Sequence, residues 1–191
     1  MSMLPYSLTR SVDPSSEPIT TADVKTHLRV SGSDDDSYID ILIEIARRQL
    51  ENDSRTAIIT QTWVQKHHAF PTDGVIELRM TPVASVSSIQ YVDVNGDTQT
   101  FSSGDYTVDT SRGVVWLGYQ KQWPSTRDHS DVVTITYVAG ASAATQTQKH
   151  AMRFLIAHWY ENRSPAELKP FHETPLGYQV LVSQIHPGSY P

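Results

Sequence analysis

The chain has 191 residues, the length of one ordinary domain or of a core domain that carries a sizeable insertion. Its formal net charge is −6 at pH 7, so it lacks the basic field by which nucleic-acid-binding proteins hold phosphates. It contains no cysteine, which excludes disulfides, thiolate metal sites and thiol nucleophiles.

Two further features of the composition concern compartment and assembly. The first ten residues lack the apolar core of a signal peptide, and no apolar run approaches the length that spans a bilayer, so we expect a soluble protein made in the cytoplasm. Hydrophobic residues make up 38% of the chain, a modest share for a core of this size. We therefore expect part of the stability to come from assembly.

The N-terminal part predicts an arm followed by a short helix. Residues 1–18 contain three prolines and no hydrophobic period, which indicates an extended arm and no packed element. Thr20 and Asp23 have the spacing of a capping box, which predicts that a helix begins here. Val24 and Leu28 lie one turn apart on its apolar side.

The longest helix pattern runs from Ser33 to Arg55. Ser33 and Asp36 have capping-box spacing, and aspartates precede the first turn, where the helix dipole favours negative charge. The predicted apolar face, which is wide enough to need more than one neighbour, consists of Tyr38, Ile39, Ile41, Leu42, Ile43, Ile45, Ala46 and Leu50. The other side carries a charged stripe, interpreted either as an ordinary solvated face or as a candidate subunit interface, formed by Asp40, Glu44, Arg47, Arg48 and Glu51.

Residues 58–139 change from a helical period to alternation, which predicts a β-rich insertion. Asn95 and Gly96 between two strand patterns predict a hairpin with a type I′ turn. The predicted strands are Thr60–His67, Val75–Met80, Val86–Val94, Thr98–Phe101, Tyr106–Asp109, Val114–Leu117 and Val132–Val138. In the last of them, alternation predicts an antiparallel sheet that is wet on one side, with Val133, Ile135 and Tyr137 on the inner face.

Helical patterns return after residue 140. Thr145 and Gln148 form a second capping box, followed by an apolar stripe of Ala151, Met152, Leu155, Ile156 and Trp159. A final helix is predicted to begin at Thr174 and Pro175, with an apolar side of Tyr178, Leu181, Val182 and Ile185. We therefore predict an α+β fold, with a helical core from residues 19–57 and 140–185, an antiparallel β-sheet or small barrel inserted between them, and a C-terminal tail over residues 186–191.

No catalytic, cofactor-binding or metal-binding set emerges from the spacing of polar residues. Eight histidines are present, but His67 and His68 are adjacent, and His150 and His158 do not have i,i+4 spacing. No phosphate-binding glycine loop and no nucleophile elbow is present. One enzymatic alternative stays open: a hydrolase that uses His67 or His68 with an aspartate of the β region.

Several stretches, in this order and spacing, resemble the head-tail connector (adaptor) proteins of tailed bacteriophages and prophages. They are PIT from Pro18, VKTHLRV from Val24, DDD from Asp34, ITQTW from Ile59, PVASV from Pro82, IQYVD from Ile89 and AHWYENR from Ala157. The resemblance implies a structural protein of the virion that forms a ring beneath the portal, extends the DNA channel and offers a surface to the next neck or tail component. It implies no catalysis and no cofactor.

The resemblance also implies where partners bind. We expect a twelve-fold ring on the portal protein, a loose oligomer or monomer in its absence, no membrane contact, and DNA that passes without sequence-specific binding. The C-terminal end is the candidate portal-docking segment, through the four apolar residues of the last helix with His186 and Tyr190. An alternative is another oligomeric neck component or a tail-completion protein.

Overall fold

The computed structural model describes residues 6–162 and 176–185. Among these, the residues up to Ser15 and those from Thr60 to Ala141 form one compact unit, here called the β unit. The residues from Ser16 to Ile59 and those that follow Ala141 form the second, here called the helical unit. The predicted insertion, residues 58–139, has boundaries within two residues of these.

The helical unit contains four described helices, α1 (Thr21–Leu28), α2 (Asp36–Ser54), α3 (Gln146–Glu161) and α4 (Leu176–Ile185). The capping boxes predicted at the starts of α1 and α3 are both confirmed. Residues of all four helices share one hydrophobic core, whose fully buried members include Val24, Ile39, Leu50, Met152 and Ile156.

The start of α2 differs from the prediction. The helix begins at Asp36, and no side chain caps it, so the predicted capping box between Ser33 and Asp36 is wrong. The Asp36 carboxylate instead accepts a hydrogen bond from Lys25 Nζ at 2.6 Å, which ties α2 to α1. Asp35, at the N-cap, accepts a 2.5 Å hydrogen bond from the Tyr160 hydroxyl of α3. The acidic run therefore joins helices, which local spacing alone does not reveal.

The β unit contains two antiparallel sheets. The larger one has the order β1-β2-β8-β4-β5, and the smaller one has the order β3-β7-β6. The strands are β1 (Tyr6–Val12), β2 (Gln61–His67), β3 (Val75–Glu77), β4 (Val83–Val92), β5 (Thr98–Thr100), β6 (Tyr106–Asp109), β7 (Val114–Leu117) and β8 (Val133–Ala139). The predicted strand Val75–Met80 is thus shorter than expected, and the strand predicted from Val86 begins three residues earlier.

Strand β8 lies at the centre of the larger sheet, and its alternation is confirmed. Val133, Ile135 and Tyr137 are fully buried, whereas Thr134 and Thr136 are half-buried on the other face. The Tyr137 hydroxyl accepts a hydrogen bond from the backbone N–H of Met80 at 3.0 Å. Burial raises the pKa of this tyrosine to about 12, so the hydroxyl stays protonated.

The N-terminal arm was predicted without a packed element, and this is wrong for Tyr6–Val12. These residues form β1, which pairs along β2 from Tyr6 opposite His67 to Val12 opposite Thr62. Arg10 lies over the ring of Trp63, with 5.1 Å from Cζ to the ring centroid, and Arg10 Nη1 donates to the Asp13 carboxylate at 2.9 Å. Pairing with a distant strand thus orders a segment whose serines and prolines suggested disorder.

The hairpin at Asn95 and Gly96 exists, but its turn is not of type I′. Gly96 has φ +97°, whereas Asn95 is not among the residues with positive φ. The Gly96 N–H donates to the Asp93 carbonyl at 3.0 Å, and the Asp93 N–H donates to the Asp97 carbonyl at 2.9 Å. This is the three-residue loop in which a type I turn precedes a left-handed glycine.

Candidate assembly surfaces

The exposed side of α2 is part apolar, which the sequence did not predict. Ile41 is 55% exposed and Ile45 is 46% exposed, although both were expected to face the core. They are flanked by an ion pair between Glu44 and Arg48, 2.7 Å apart and half exposed. Asp40, also exposed, accepts a hydrogen bond from the Thr21 hydroxyl of α1. We call Asp40, Ile41, Glu44, Ile45 and Arg48 the α2 stripe.

Two residues of the charged stripe predicted from the sequence, Arg47 and Glu51, lie inside the subunit. Arg47 is 2% exposed and Glu51 is 0% exposed, so the prediction of a solvated stripe is wrong at both positions. Arg47 Nε donates to Glu17 at 2.8 Å, and its Nη1 lies 3.3 Å from the Glu51 carboxylate. Glu51 also accepts a 3.0 Å hydrogen bond from the backbone N–H of Ile58. Glu17 and Ile58, both outside α2, thus hold Arg47 and Glu51 on the buried side of the helix.

Charge on Arg47 is compensated within this network. Burial alone disfavours the charged form, but hydrogen bonds and attraction from Glu17 and Glu51 outweigh it and raise the pKa of the guanidinium above its ordinary value. The arginine is therefore permanently charged and already paired. Its function is to hold the end of α2 against the segments before α1 and after α2, and it is not available to a neighbouring molecule.

The apolar side of α4, predicted as a docking face, packs within the helical unit. Tyr178 is buried, and its hydroxyl donates to the Asp53 carboxylate of α2 at 2.6 Å. Leu181, Val182 and Ile185 are half-buried against the same core. On α4 the exposed large apolar side chain is Val180. The other two predicted docking residues, His186 and Tyr190, lie outside the described residues.

The β unit presents a long loop, residues 118–132, that connects β7 to β8. Trp123 of this loop stacks on Phe70 with ring centroids 4.6 Å apart, and Thr126 forms a β-bridge with Asp93. Lys121 pairs with Asp105 at 2.6 Å. Tyr119, which lies between the end of β7 and the first of these anchors, is 90% exposed. The loop is therefore fixed at several points and displays an aromatic side chain to solvent.

The histidines proposed for a hydrolase occupy different environments. His67 is buried, and its Nε2 lies 2.8 Å from Gln65 Nε2. His68 is exposed and lines an open cleft of about 430 Å³ together with Tyr6, Ser7 and residues 128–131. Although Asp128 and Asp131 share this cleft, no hydrogen bond in the described part of the chain joins either of them to His68. The cleft lacks the enclosed set of convergent groups that would favour the hydrolase hypothesis.

The described residues contain neither a candidate metal centre nor a candidate membrane-spanning helix. Within residues 6–162 and 176–185, no three His, Asp or Glu side chains lie close enough to hold a metal ion. None of the helices in these ranges is both long and apolar enough to cross a bilayer.

Comparison of the sequence with protein families gives one match. Residues 18–111 match the model of the phage gp6-like head-tail connector proteins. Over these residues the chain is similar to the gp6-like head-tail connector family. The matched segment begins just before α1 and ends just after β6, so it contains the α2 stripe, Arg47 and Glu51, whereas Glu17 lies one residue before it. The resemblance seen in the sequence is thereby confirmed. No curated protein sequence matches the chain.

Solved structures share the fold of this chain over nearly its whole length. A chain of the neck of an empty gene transfer agent particle, computed with C6 symmetry, is 19% identical and superposes with a TM-score of 0.76, covering 94% of this chain and 95% of that one. A chain from the virion of a native gene transfer agent particle gives 0.74 at 19% identity, covering 94% of each chain. A third, from a native neck computed with C12 symmetry, gives 0.73 with the same identity and coverage. The predicted α+β fold class is confirmed.

Proposed function

We propose that the chain is a structural head-tail connector of a tailed phage or prophage. It forms a closed ring in the neck of the particle, twelve-fold on the portal, and extends the channel through which DNA passes. The observation that carries this proposal is the connector-family match over residues 18–111, which the fold of a neck protein over 94% of the chain supports. The protein acts in the virion after synthesis in the cytoplasm of the bacterial host.

The α2 stripe is one side of the contact between neighbouring subunits in this proposal. A closed ring needs heterologous contacts, in which two different surfaces of the same chain meet. Ile41 and Ile45 supply apolar area on a helix whose opposite side is buried, and the Glu44–Arg48 pair supplies a polar rim. This combination of an apolar centre and a charged edge is typical of protein–protein interfaces.

The portal and the next neck or tail-completion component are the partners on the two sides of the ring. The segment beyond Ile185 contains two prolines and a glycine, a composition typical of peptides that partners bind in extended form. We place the portal contact in this tail, with His186 and Tyr190, because Tyr178 is occupied within its own subunit.

The test is electron microscopy of the chain alone and with portal protein, on the wild type and on an Ile41→Lys, Ile45→Lys double variant. We expect wild-type rings on the portal and loss of rings in the double variant, because two buried charges without partners oppose association. Val180→Lys is the matched control, since Val180 is an exposed apolar residue on another helix of the same unit, outside the α2 stripe. A portal that never recruits the wild type contradicts the proposal. Rings in the double variant would exclude only the α2 stripe as a subunit contact and would leave the proposed function in place.

A further inference from the structure

The two outermost strands of the five-stranded sheet in the β unit, β1 and β5, run in the same direction. Each neighbouring pair in the order β1-β2-β8-β4-β5 is antiparallel. Four reversals separate β1 from β5, so the two outermost strands run the same way. In each of them, one side of the backbone faces a strand of the sheet and the other side lies at its edge, in the part of the chain that the structure describes.

The register places hydroxyl side chains of both outer strands on one face of this sheet. Residues directly opposite each other in paired strands point to the same face. The pairs that lead across the sheet are Ser7 with Lys66, Thr9 with Val64, Lys66 with Thr134, Val64 with Thr136, Thr134 with Gln90, Gln90 with Thr100, and Val92 with Thr98. Ser7, Thr9, Thr98 and Thr100 therefore share the outer face, and Gln99 points to the other one.

Neither outer strand contains a lysine or a proline, although β5 is only three residues long and β1 has a register shift at its end. Exposed edges are usually interrupted by lysines, prolines or bulges, because unpaired backbone groups recruit further strands. From Tyr6 to Arg10 the register of β1 is regular, and the shift lies beyond Arg10. The one charge in β1, on Arg10, is engaged by Trp63 and Asp13. The sequence of β5 is Thr-Gln-Thr, all exposed and uncharged.

From these observations we propose that β1 of one subunit pairs with β5 of the next, so that the five-stranded sheets join into one continuous sheet around the ring. This inference rests on the proposed ring. Because the two strands run the same way, the joint is parallel, which is what a rotation about the ring axis requires. It is also heterologous, since it uses two different edges of the same chain. The occupant of each edge is a second copy of this chain, whose neutral edge brings no charge repulsion and whose threonines can pair with Ser7 and Thr9.

Cysteine cross-linking tests the joint directly, because the wild-type chain contains no cysteine. Within one subunit, four strand spacings separate Thr9 from Thr98, about 19 Å, so a disulfide between them must join two subunits. We expect oxidised rings carrying Thr9→Cys with Thr98→Cys, or Thr9→Cys with Thr100→Cys, to give a ladder of covalent oligomers. The matched control, Thr9→Cys with Gln99→Cys, places the two thiols on opposite faces and gives no ladder.

A charge exchange at the same positions supplies a second readout. Thr9→Lys with Thr98→Lys sets like charges across the joint, and we expect ring assembly to weaken at least about tenfold, since like charges at an interface oppose association. Thr9→Lys with Thr98→Glu restores attraction and retains rings. Both variants should melt alike as monomers, because the two positions are far apart within a subunit.

The failure of this inference differs from failure of the proposed function. If the wild type forms rings, but neither facing cysteine pair gives a ladder and the two charge variants assemble equally, the joint is overturned and the ring is left intact. A wild-type chain that forms no ring, alone or on the portal, would overturn both.

Discussion

At the scale of single residues, Arg47 is the side chain on which the helical unit depends most. It is buried between two carboxylates, and Glu51 beside it has no exposed surface. Removing the cation by Arg47→Met leaves the Glu51 charge buried and only partly compensated. We expect the free energy of unfolding to fall by about 3 kcal/mol or more, as for other broken buried pairs.

The next residue along the chain provides the control for this prediction. Arg48 pairs with Glu44 on the surface, where both side chains are half exposed. Arg48→Met should change the free energy of unfolding by about 1 kcal/mol or less. Urea unfolding of the two variants measures the difference, and equal losses would contradict the role assigned to the Arg47 network.

His67 makes the stability of the β unit depend on pH. Burial, followed by the charges of Arg79 and His68, lowers the pKa of its imidazole from 6.5 to about 4. The side-chain Oε1 of Gln65 accepts from the backbone N–H of Arg79 at 2.9 Å, so the side-chain Nε2 of Gln65 faces His67 Nε2. The ring nitrogen must accept there, and a proton on it would oppose the amide donor.

The direction of the pH effect follows from this depressed pKa. Above about pH 6.5 both the folded and the unfolded states hold the neutral ring, and the stability is complete. As the pH falls toward about 4, the unfolded state takes up the proton first, and up to about 3 kcal/mol of stability is lost. His67→Asn should flatten this part of the pH profile of urea unfolding, whereas the exposed His68→Asn should alter it only slightly, because the charge of His68 is the smallest of the three causes. An unaltered profile in His67→Asn would show that another group titrates.

At the scale of elements, α4 is a ten-residue helix, which is marginal unless its apolar side docks. Tyr178 supplies both the largest buried side chain of α4 and a hydrogen bond to Asp53. Burial, then the hydrogen bond and charge of Asp53, raise the pKa of Tyr178. The hydroxyl is therefore always a donor to the carboxylate.

Two substitutions at this position separate the hydrogen bond from the packing. Tyr178→Phe should cost about 1–2 kcal/mol and keep the helix docked, because it removes the donor alone. Tyr178→Ala should cost about 3–5 kcal/mol and should speed amide hydrogen exchange throughout α4. Val180→Ala is the control on the exposed side of the same helix. Slow exchange of the α4 amides in Tyr178→Ala would mean that Leu181, Val182 and Ile185 hold the helix unaided.

Local patterns in the sequence predicted the elements whose partners are local. The capping boxes at Thr20 and Thr145 use residues three positions apart, and the alternation of β8 needs only a sheet with one buried face. The errors concern long-range partners. The Asp36 carboxylate, which was predicted to cap α2, binds Lys25 of α1 instead. The segment Tyr6–Val12, which was predicted to be part of an extended arm, pairs with β2 as a strand.

The α2 stripe was likewise predicted only where local position on the helix decides exposure. Asp40, Glu44 and Arg48 are exposed as their position on the helix indicated. Arg47 and Glu51 are buried because they bind Glu17 and the Ile58 amide, both outside α2. With those residues on the inner side of the helix, Ile41 and Ile45 are exposed. Alternating polar and apolar residues from Tyr6 to Arg10 were a signal for β1, although serines and prolines around them obscured it.

At the scale of the whole molecule, net charge governs how the protein meets DNA. Each copy contributes −6 at pH 7, and the chain has 15 Lys and Arg against 21 Asp and Glu. Several of its cations are already paired, as Arg47 is with Glu17 and Lys121 is with Asp105. Neutralising phosphates requires clustered free cations that release counterions from the DNA. In the proposed ring, we therefore expect such subunits to favour passage of the duplex over retention.

We expect weak binding of duplex DNA, without preference for sequence. Fluorescence anisotropy with two labelled duplexes of unrelated sequence, titrated with the chain alone and with portal-bound rings, measures this. Both duplexes should give the same weak response at low salt and none at moderate salt, because the few phosphate contacts available are lost as counterions are added. Tight binding that persists at moderate salt, or a clear preference for one duplex, would show that the channel surface holds DNA and would contradict the passive role derived from the charge.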